Sequence, residues 1–327
     1  MNSVNFMEVH LMSKKKRPKR IRLEASSVCQ LKCPTCPNTN KEILPIVGKG
    51  FLLLSNFQKL LYENPWIAEI ELSNFGEIFL NPDLLGIIKH AYERKVVLTA
   101  NNGVNLNNVE RAVLEGLVKY KFQSMTCSID GVSNETYKRY RIGGNYDVVI
   151  ENIKKINLLK KQYKSRYPLL TWQFVVFGYN EHEIPIAQKL ADELDMNFHL
   201  KLSWDTKFSP VRDQNFIRKE VGAASRKEYK EKYGVHYMQR ICHQLWDQPQ
   251  INWDGKILGC CRNLREDFGG NAFTDGLLES LNSEVINYAR DMLIGIQNGR
   301  DDIPCTSCAV YLSMKKDGKW LKRENRE

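Results

Sequence analysis

Between residues 21 and 203 the chain switches six times between short apolar runs and stretches with helical spacing. The runs 21–26, 67–73, 95–100, 124–130, 170–177 and 198–203 are rich in β-branched or aromatic residues, as strands are. Between them apolar residues recur at three- and four-residue steps: Leu84, Leu85, Ile87, Ile88 and Ala91; Val109, Val113 and Leu117; Val149, Ile153, Ile156 and Leu159; Ile186, Leu190 and Leu194. Right-handed βαβ units around a parallel sheet satisfy such alternation. Six units imply an α/β fold, a partial (β/α)6 TIM-like barrel, with its ligand site at the C-terminal ends of the strands.

The loop after the first strand reads Cys29-Gln-Leu-Lys-Cys33-Pro-Thr-Cys36. Three thiolates at this spacing can hold three corners of a four-iron cluster and leave the fourth iron open to something other than protein. Structural zinc is the competing reading, but zinc wants a fourth Cys or His, and between Ser3 and His90 only His10 offers one. Closely spaced cysteines in a chain without a signal peptide argue against a disulfide framework. Gly76 and Glu77, Asn102 and Gly103, and Ser128 and Asp130 end the next three strands, so they are expected at the same rim.

At 327 residues, with 43% hydrophobic composition, the chain can bury a full core over about two domains. No apolar run is long enough for a membrane span, and a cytoplasmic location is expected. The formal charge is +10, of which the tail to Arg20 supplies +5. Such a run is most often a solvated leader; no aromatic-rich RNA-binding motif accompanies it, so no nucleic-acid partner is expected. The remaining excess is weak support for an anionic substrate.

Residues 206–240 are charged, carry one amphipathic helix and read as a connector. Beyond them comes a hairpin with a two-residue Asp254-Gly255 turn, then a helix from Leu281 to about Gln297, then Cys305-Thr-Ser-Cys308. Cys242, Cys260, Cys305 and Cys308 can close a four-thiolate site for either a second four-iron cluster or tetrahedral zinc. Cys127 alternates away from Ser128 and reads as a core thiol. Cys261 faces opposite to Cys260 and is either a hydrogen-atom donor or a packing residue.

Together these residues resemble the radical S-adenosylmethionine superfamily, specifically members with a C-terminal SPASM or twitch-type auxiliary-cluster domain. The resemblance spans about residues 20–310. It is carried by the Cys29, Cys33, Cys36 loop, by Leu72-Ser-Asn-Phe-Gly-Glu77, Thr99-Ala-Asn-Asn-Gly103, Ser128-Ile-Asp-Gly131 and the segment 141–147, and by the C-terminal cysteines. It implies four segments: a basic tail 1–20, a radical core 21–205, a helical connector 206–240 and a small α+β auxiliary domain 241–327. It also implies that Cys29, Cys33 and Cys36 ligate a catalytic [4Fe-4S] cluster whose open iron binds S-adenosylmethionine, and that Cys242, Cys260, Cys305 and Cys308 ligate one auxiliary [4Fe-4S] cluster. Gly76 and Glu77 would meet the cofactor's ammonium, Asn102 and Ser128 its ribose or carboxylate, and Arg141 its carboxylate. Phe75 stands where the family has its first glycine, which puts close backbone approach there in question.

In such enzymes a 5′-deoxyadenosyl radical takes a hydrogen atom from substrate, with electrons from a donor such as flavodoxin or ferredoxin. A single four-cysteine set is similar to that of aminocyclitol dehydrogenases. It implies a small polar substrate of the carbohydrate or cyclitol type, and dehydrogenation or, with Cys261 as donor, epimerisation. Peptide maturation is the alternative. A non-enzymatic zinc or RNA-binding protein is the remote one.

Overall fold

The computed structural model describes residues 16–322; most of the basic tail, residues 1–15, and residues 323–327 at the end of the C-terminal segment lie outside the described residues. The six strands are β1 Arg20–Leu23, β2 Glu69–Glu71, β3 Val97–Val104, β4 Ser124–Ser128, β5 Leu169–Val176 and β6 Met196–Leu202. They pair in parallel with sequential neighbours, each crossover passing through one or more helices. The sheet does not close: β6 is one edge, and beyond β1 it is extended by β7, Gln250–Ile251, and β8, Ile257–Gly259. The α/β partial-barrel reading holds. The C-terminal hairpin continues the same sheet, with β7 parallel to β1 and antiparallel to β8.

Strand alternation has an unusual consequence in a curved sheet. Ile21, Leu23, Ile70, Leu98, Met125, Cys127 and Trp172 pack into the main apolar core with the helices, while Arg22, Glu71 and Thr99 share a register row on the other face and are also buried. Ser128, Gln173 and His199 form a second polar row across β4, β5 and β6. Polar strand positions therefore line the inside of the barrel.

Helix starts follow local chemistry where a cap exists. Ser133 accepts from Thr136 N to start Asn134–Tyr140, and Asn145 accepts from Asp147 N and Val148 N to start Tyr146–Gln162, which has Asp147 in its first turn and Lys160 and Lys161 in its last. The helix Leu54–Glu63 has no local cap; Leu54 N donates to Asp83 Oδ2, 2.8 Å away, from a residue 29 positions on.

Three sequence expectations are corrected. The connector holds two helices, Gln214–Val221 and Arg226–Tyr233, each capped by its own Asp213 or Ser225. The helix expected over 281–297 is Glu284–Leu293, started afresh by Ser283 after a separate turn, Leu277–Leu281. The hairpin turn has three residues: Asn252 N donates to Lys256 O, enclosing Trp253, Asp254 and Gly255, and Gly255 takes φ +93°, the left-handed position that closes such a loop. No helix among the described residues is long and apolar enough to cross a membrane.

Candidate functional site

The cysteine loop after β1 is held from three sides. Glu77 N donates to Val28 O at 2.8 Å, Asn38 Nδ2 donates to Ser27 O and Phe75 O, and Lys32 N donates to Ile142 O at 2.9 Å. Thr35 Oγ1 meets the Tyr140 hydroxyl at 2.7 Å. Close approach of the second loop occurs at Gly76: a Cβ there would lie 2.1 Å from Ser26 O, so only glycine fits. Phe75 does not prevent this approach. Its N–H points to the Glu24 carboxylate, with oxygens at 3.0 and 3.1 Å, and its ring packs beside Ile43, Val47 and Leu258.

Buried carboxylates pin one loop to the next around the rim. Glu24, after β1, accepts from Phe75 N and Gly76 N. Glu71, on β2, accepts from Ser73, the Thr99 hydroxyl and the backbone N–H groups of Asn101 and Asn102. Glu77 takes Asn105 N at 2.6 Å and Phe79 N at 3.3 Å. Asp130 takes Val175 N at 2.7 Å and pairs with Arg141 at 2.6 Å. Burial raises Glu24 to about 8 and Glu77 to about 7, against the lowering effect of those backbone donors. Sequence reading missed Glu24 and Glu71 as organisers. Their signal was their place in alternating strands, which reads as exposed in a flat sheet and as buried in a barrel.

The sites assigned from sequence fall as follows. Cys33 is buried, and Cys29 and Cys36 are half-buried against Leu31, Tyr140, Phe177 and Tyr179. Two of the three sulfurs face N–H donors: Arg141 Nη1 is 3.7 Å from Cys33 Sγ and Asn105 Nδ2 is 3.9 Å from Cys29 Sγ. Burial first, then Glu77 and the two neighbouring cysteines, push the Cys29 thiol up to about 12. Glu77 is buried within electrostatic reach of Cys29. Asn102 Nδ2 donates to Asn74 Oδ1 at 2.9 Å, and the Ser128 hydroxyl lies against the open face of Gly103. Arg141 is turned to Asp130 and Cys33, with Tyr140 beneath it, 5.2 Å from guanidinium to ring centroid.

In the second set, Cys242 lies in the turn Gln239–His243, Cys260 leaves β8, and Cys308 N donates to Cys305 O just before the helix Ala309–Asp317. Burial, then proximity to Cys260 and Cys242, raises Cys305, and burial lifts Cys260 to about 12. Cys261 N donates to Gln244 Oε1 at 2.8 Å. Cys127 is fully buried in the main core.

The chemistry of both donor sets fits iron–sulfur groups: free thiols, buried or partly buried, within electrostatic reach of others of their own set. Among the described residues no three His, Cys, Asp or Glu side chains close round a single ion. A cluster in which each thiolate meets its own iron tolerates a wider spread.

No protein-family model matches the chain, and a search of curated proteins finds no relative. Among solved structures it is similar to Streptococcus suis SuiB bound to S-adenosylmethionine, with a TM-score of 0.63 and 16% identity over 90% of this chain and 72% of that one. SuiB bound to its precursor peptide SuiA gives a TM-score of 0.58 at 15% identity, over 82% and 65%. Native anSMEcpe with bound AdoMet gives 0.53 at 16% identity, over 81% and 80%. At these identities the likeness is one of fold.

Proposed function

We propose that the chain is a radical S-adenosylmethionine enzyme in which Cys29, Cys33 and Cys36 hold a four-iron cluster and leave one iron for S-adenosylmethionine. The observation that carries this is a loop with one buried and two half-buried thiols, two of the three faced by side-chain N–H donors, and wrapped by the Gly76 approach. Hydrogen bonds to cluster sulfurs are a known way for protein to tune such a group. Bound there, the pair supplies one-electron carbon–sulfur cleavage and a strong hydrogen-atom acceptor.

The chain's own residues do the placing. Glu77 offers acceptor oxygens to an ammonium, Asn102 and Ser128 offer polar groups to a ribose or carboxylate, and Arg141 keeps Nη donors for a carboxylate while Asp130 fixes its Nε side. Tyr140, Phe177 and Tyr179 exclude water on the far side of the loop. Cys242, Cys260, Cys305 and Cys308 would hold a second four-iron cluster, which would supply an electron acceptor, and the Cys261 thiol is the candidate hydrogen-atom donor. On this reading residues 21–205 form the radical core, 206–240 the connector and 241–327 the auxiliary unit, whose first hairpin shares the core sheet.

The substrate is a small polar molecule that is dehydrogenated or epimerised, and a flavodoxin or ferredoxin is the electron donor. The single four-cysteine set supports a small substrate. A peptide substrate is the second reading, favoured by the likeness in fold to a protein crystallised with its precursor peptide. Iron analysis of the anaerobically reconstituted chain tests the cluster assignment. About eight irons per chain are expected from two four-iron groups; about four with bound zinc would overturn the second.

A further inference from the structure

The open edge of the barrel carries a group of cations without carboxylate partners. Lys201 on β6 is largely buried and donates to Gln173 Oε1 at 3.2 Å. Arg226, at the start of its helix, gives Nε and Nη2 to Leu202 O at 3.0 and 2.9 Å and lies over the Tyr237 ring at 4.5 Å, leaving its Nη1 donors for another group. Arg262 and His236 stand within electrostatic reach of Arg226. Among the described residues none of Lys201, Arg226 or Arg262 has a carboxylate within ion-pair distance.

A cavity of about 660 Å³ opens at this edge strand, lined by Gln173 of β5, by His199 and Lys201 from one face of β6, by Phe198 from the other and by Tyr237, on whose ring Arg226 lies, with the exposed Glu220 at its rim. That volume suits a small molecule. Lys201 also lies within electrostatic reach of Asp130, Arg141 and Cys261.

Burying a cation is costly unless an anion meets it. Burial followed by Arg226 lowers Lys201, and burial lowers Arg226 to about 10, with Arg262 adding to the lowering. Each is a charge waiting for its counterpart. Neutral sugars or cyclitols would leave them uncompensated, whereas a planar guanidinium beside an ammonium matches an oxyanion through paired N–H donors.

We propose that Lys201 and Arg226 bind an oxyanion on the substrate, so that the small molecule is a phosphate ester or a carboxylate. Tyr237, which lies under the Arg226 guanidinium and lines the cavity, then flanks its uncharged body. This substrate class rests on the radical-enzyme reading, but the site itself does not need that chemistry to bind an anion.

The test is calorimetric titration of the full, cluster-loaded chain with glucose, glucose 6-phosphate, glucuronate and inorganic phosphate, alongside release of 5′-deoxyadenosine from S-adenosylmethionine by the same preparation. At least one anionic sugar is expected to bind tenfold or more tightly than glucose. Lys201→Met and Arg226→Gln should each weaken that binding tenfold or more, with circular dichroism unchanged, while Lys227→Ala on the exposed face leaves it intact. Preference for glucose 6-phosphate or for glucuronate assigns phosphate or carboxylate. Anions binding no better than glucose, or equally to the two folded variants, would overturn the proposal. Absence of 5′-deoxyadenosine with anion binding retained would instead overturn the radical reading.

Discussion

Arg141 Nε donates to Asp130 Oδ2 at 2.6 Å, and from that anchored position its Nη1 reaches Cys33 Sγ at 3.7 Å. Asp130 is fully buried, so the pair works as a strut between the end of β4 and the cysteine loop. Removing one partner of a buried pair leaves the other uncompensated. Arg141→Gln should lower stability by about 3 kcal/mol, and Asp130→Asn added to it should cost less than the sum of the single changes. Urea unfolding of the two single variants and the double variant measures this.

Gly76 has no room for a methyl group because the obstructing atom is the backbone oxygen of Ser26. Gly76→Ala must push the second loop off the first, at a cost of about 1–3 kcal/mol. The iron held near Cys29 should fall in this variant while that of the C-terminal set stays, which Mössbauer spectra of the reconstituted protein would resolve.

Glu24 links stability to pH. Its folded-state value, near 8, lies above the ordinary 4.5, so the folded chain holds a proton that the unfolded chain has released. The associated stability is complete below about 4.5 and is lost as pH rises toward 8, at up to roughly 1.4 kcal/mol per pH unit. Glu24→Gln lacks this term. The stability of the wild type relative to Glu24→Gln should therefore decline from pH 5 to pH 8 in urea titrations, and a difference independent of pH would contradict the assignment.

The thiols outside the ligand sets should separate by role. Cys127→Ala, in the packed core, should cost about 1 kcal/mol and leave iron content unchanged. Cys261→Ser should also keep its iron. If Cys261 returns a hydrogen atom to substrate, this variant still cleaves S-adenosylmethionine but no longer places solvent deuterium in product.

Much of this was legible in the chain because strand and helix periods are local. All six core strands lie where the apolar runs put them, and the cysteine loop follows β1. What was not legible depends on distant partners. Leu54–Glu63 has the helical spacing of Phe57, Leu60 and Leu61, but its first N–H is capped by Asp83 across the fold. Asn134–Tyr140 and Ala309–Asp317 are short helices with little apolar period to mark them. Arg141 read as a clamp for the cofactor's carboxylate because its partner, Asp130, becomes adjacent only when the intervening helix Asn134–Tyr140 folds back and brings its C-cap, Arg141, to the end of β4. Lys201 and Arg226 carry no motif; their meaning comes from a cavity that the sequence does not show.

The most direct measurement is release of 5′-deoxyadenosine from S-adenosylmethionine by the dithionite-reduced, iron-reconstituted chain, compared with Cys33→Ala. The wild type is expected to release it and Cys33→Ala to release none above background. Equal release from both, or none from a wild type that holds its full iron, would contradict the assignment of Cys29, Cys33 and Cys36.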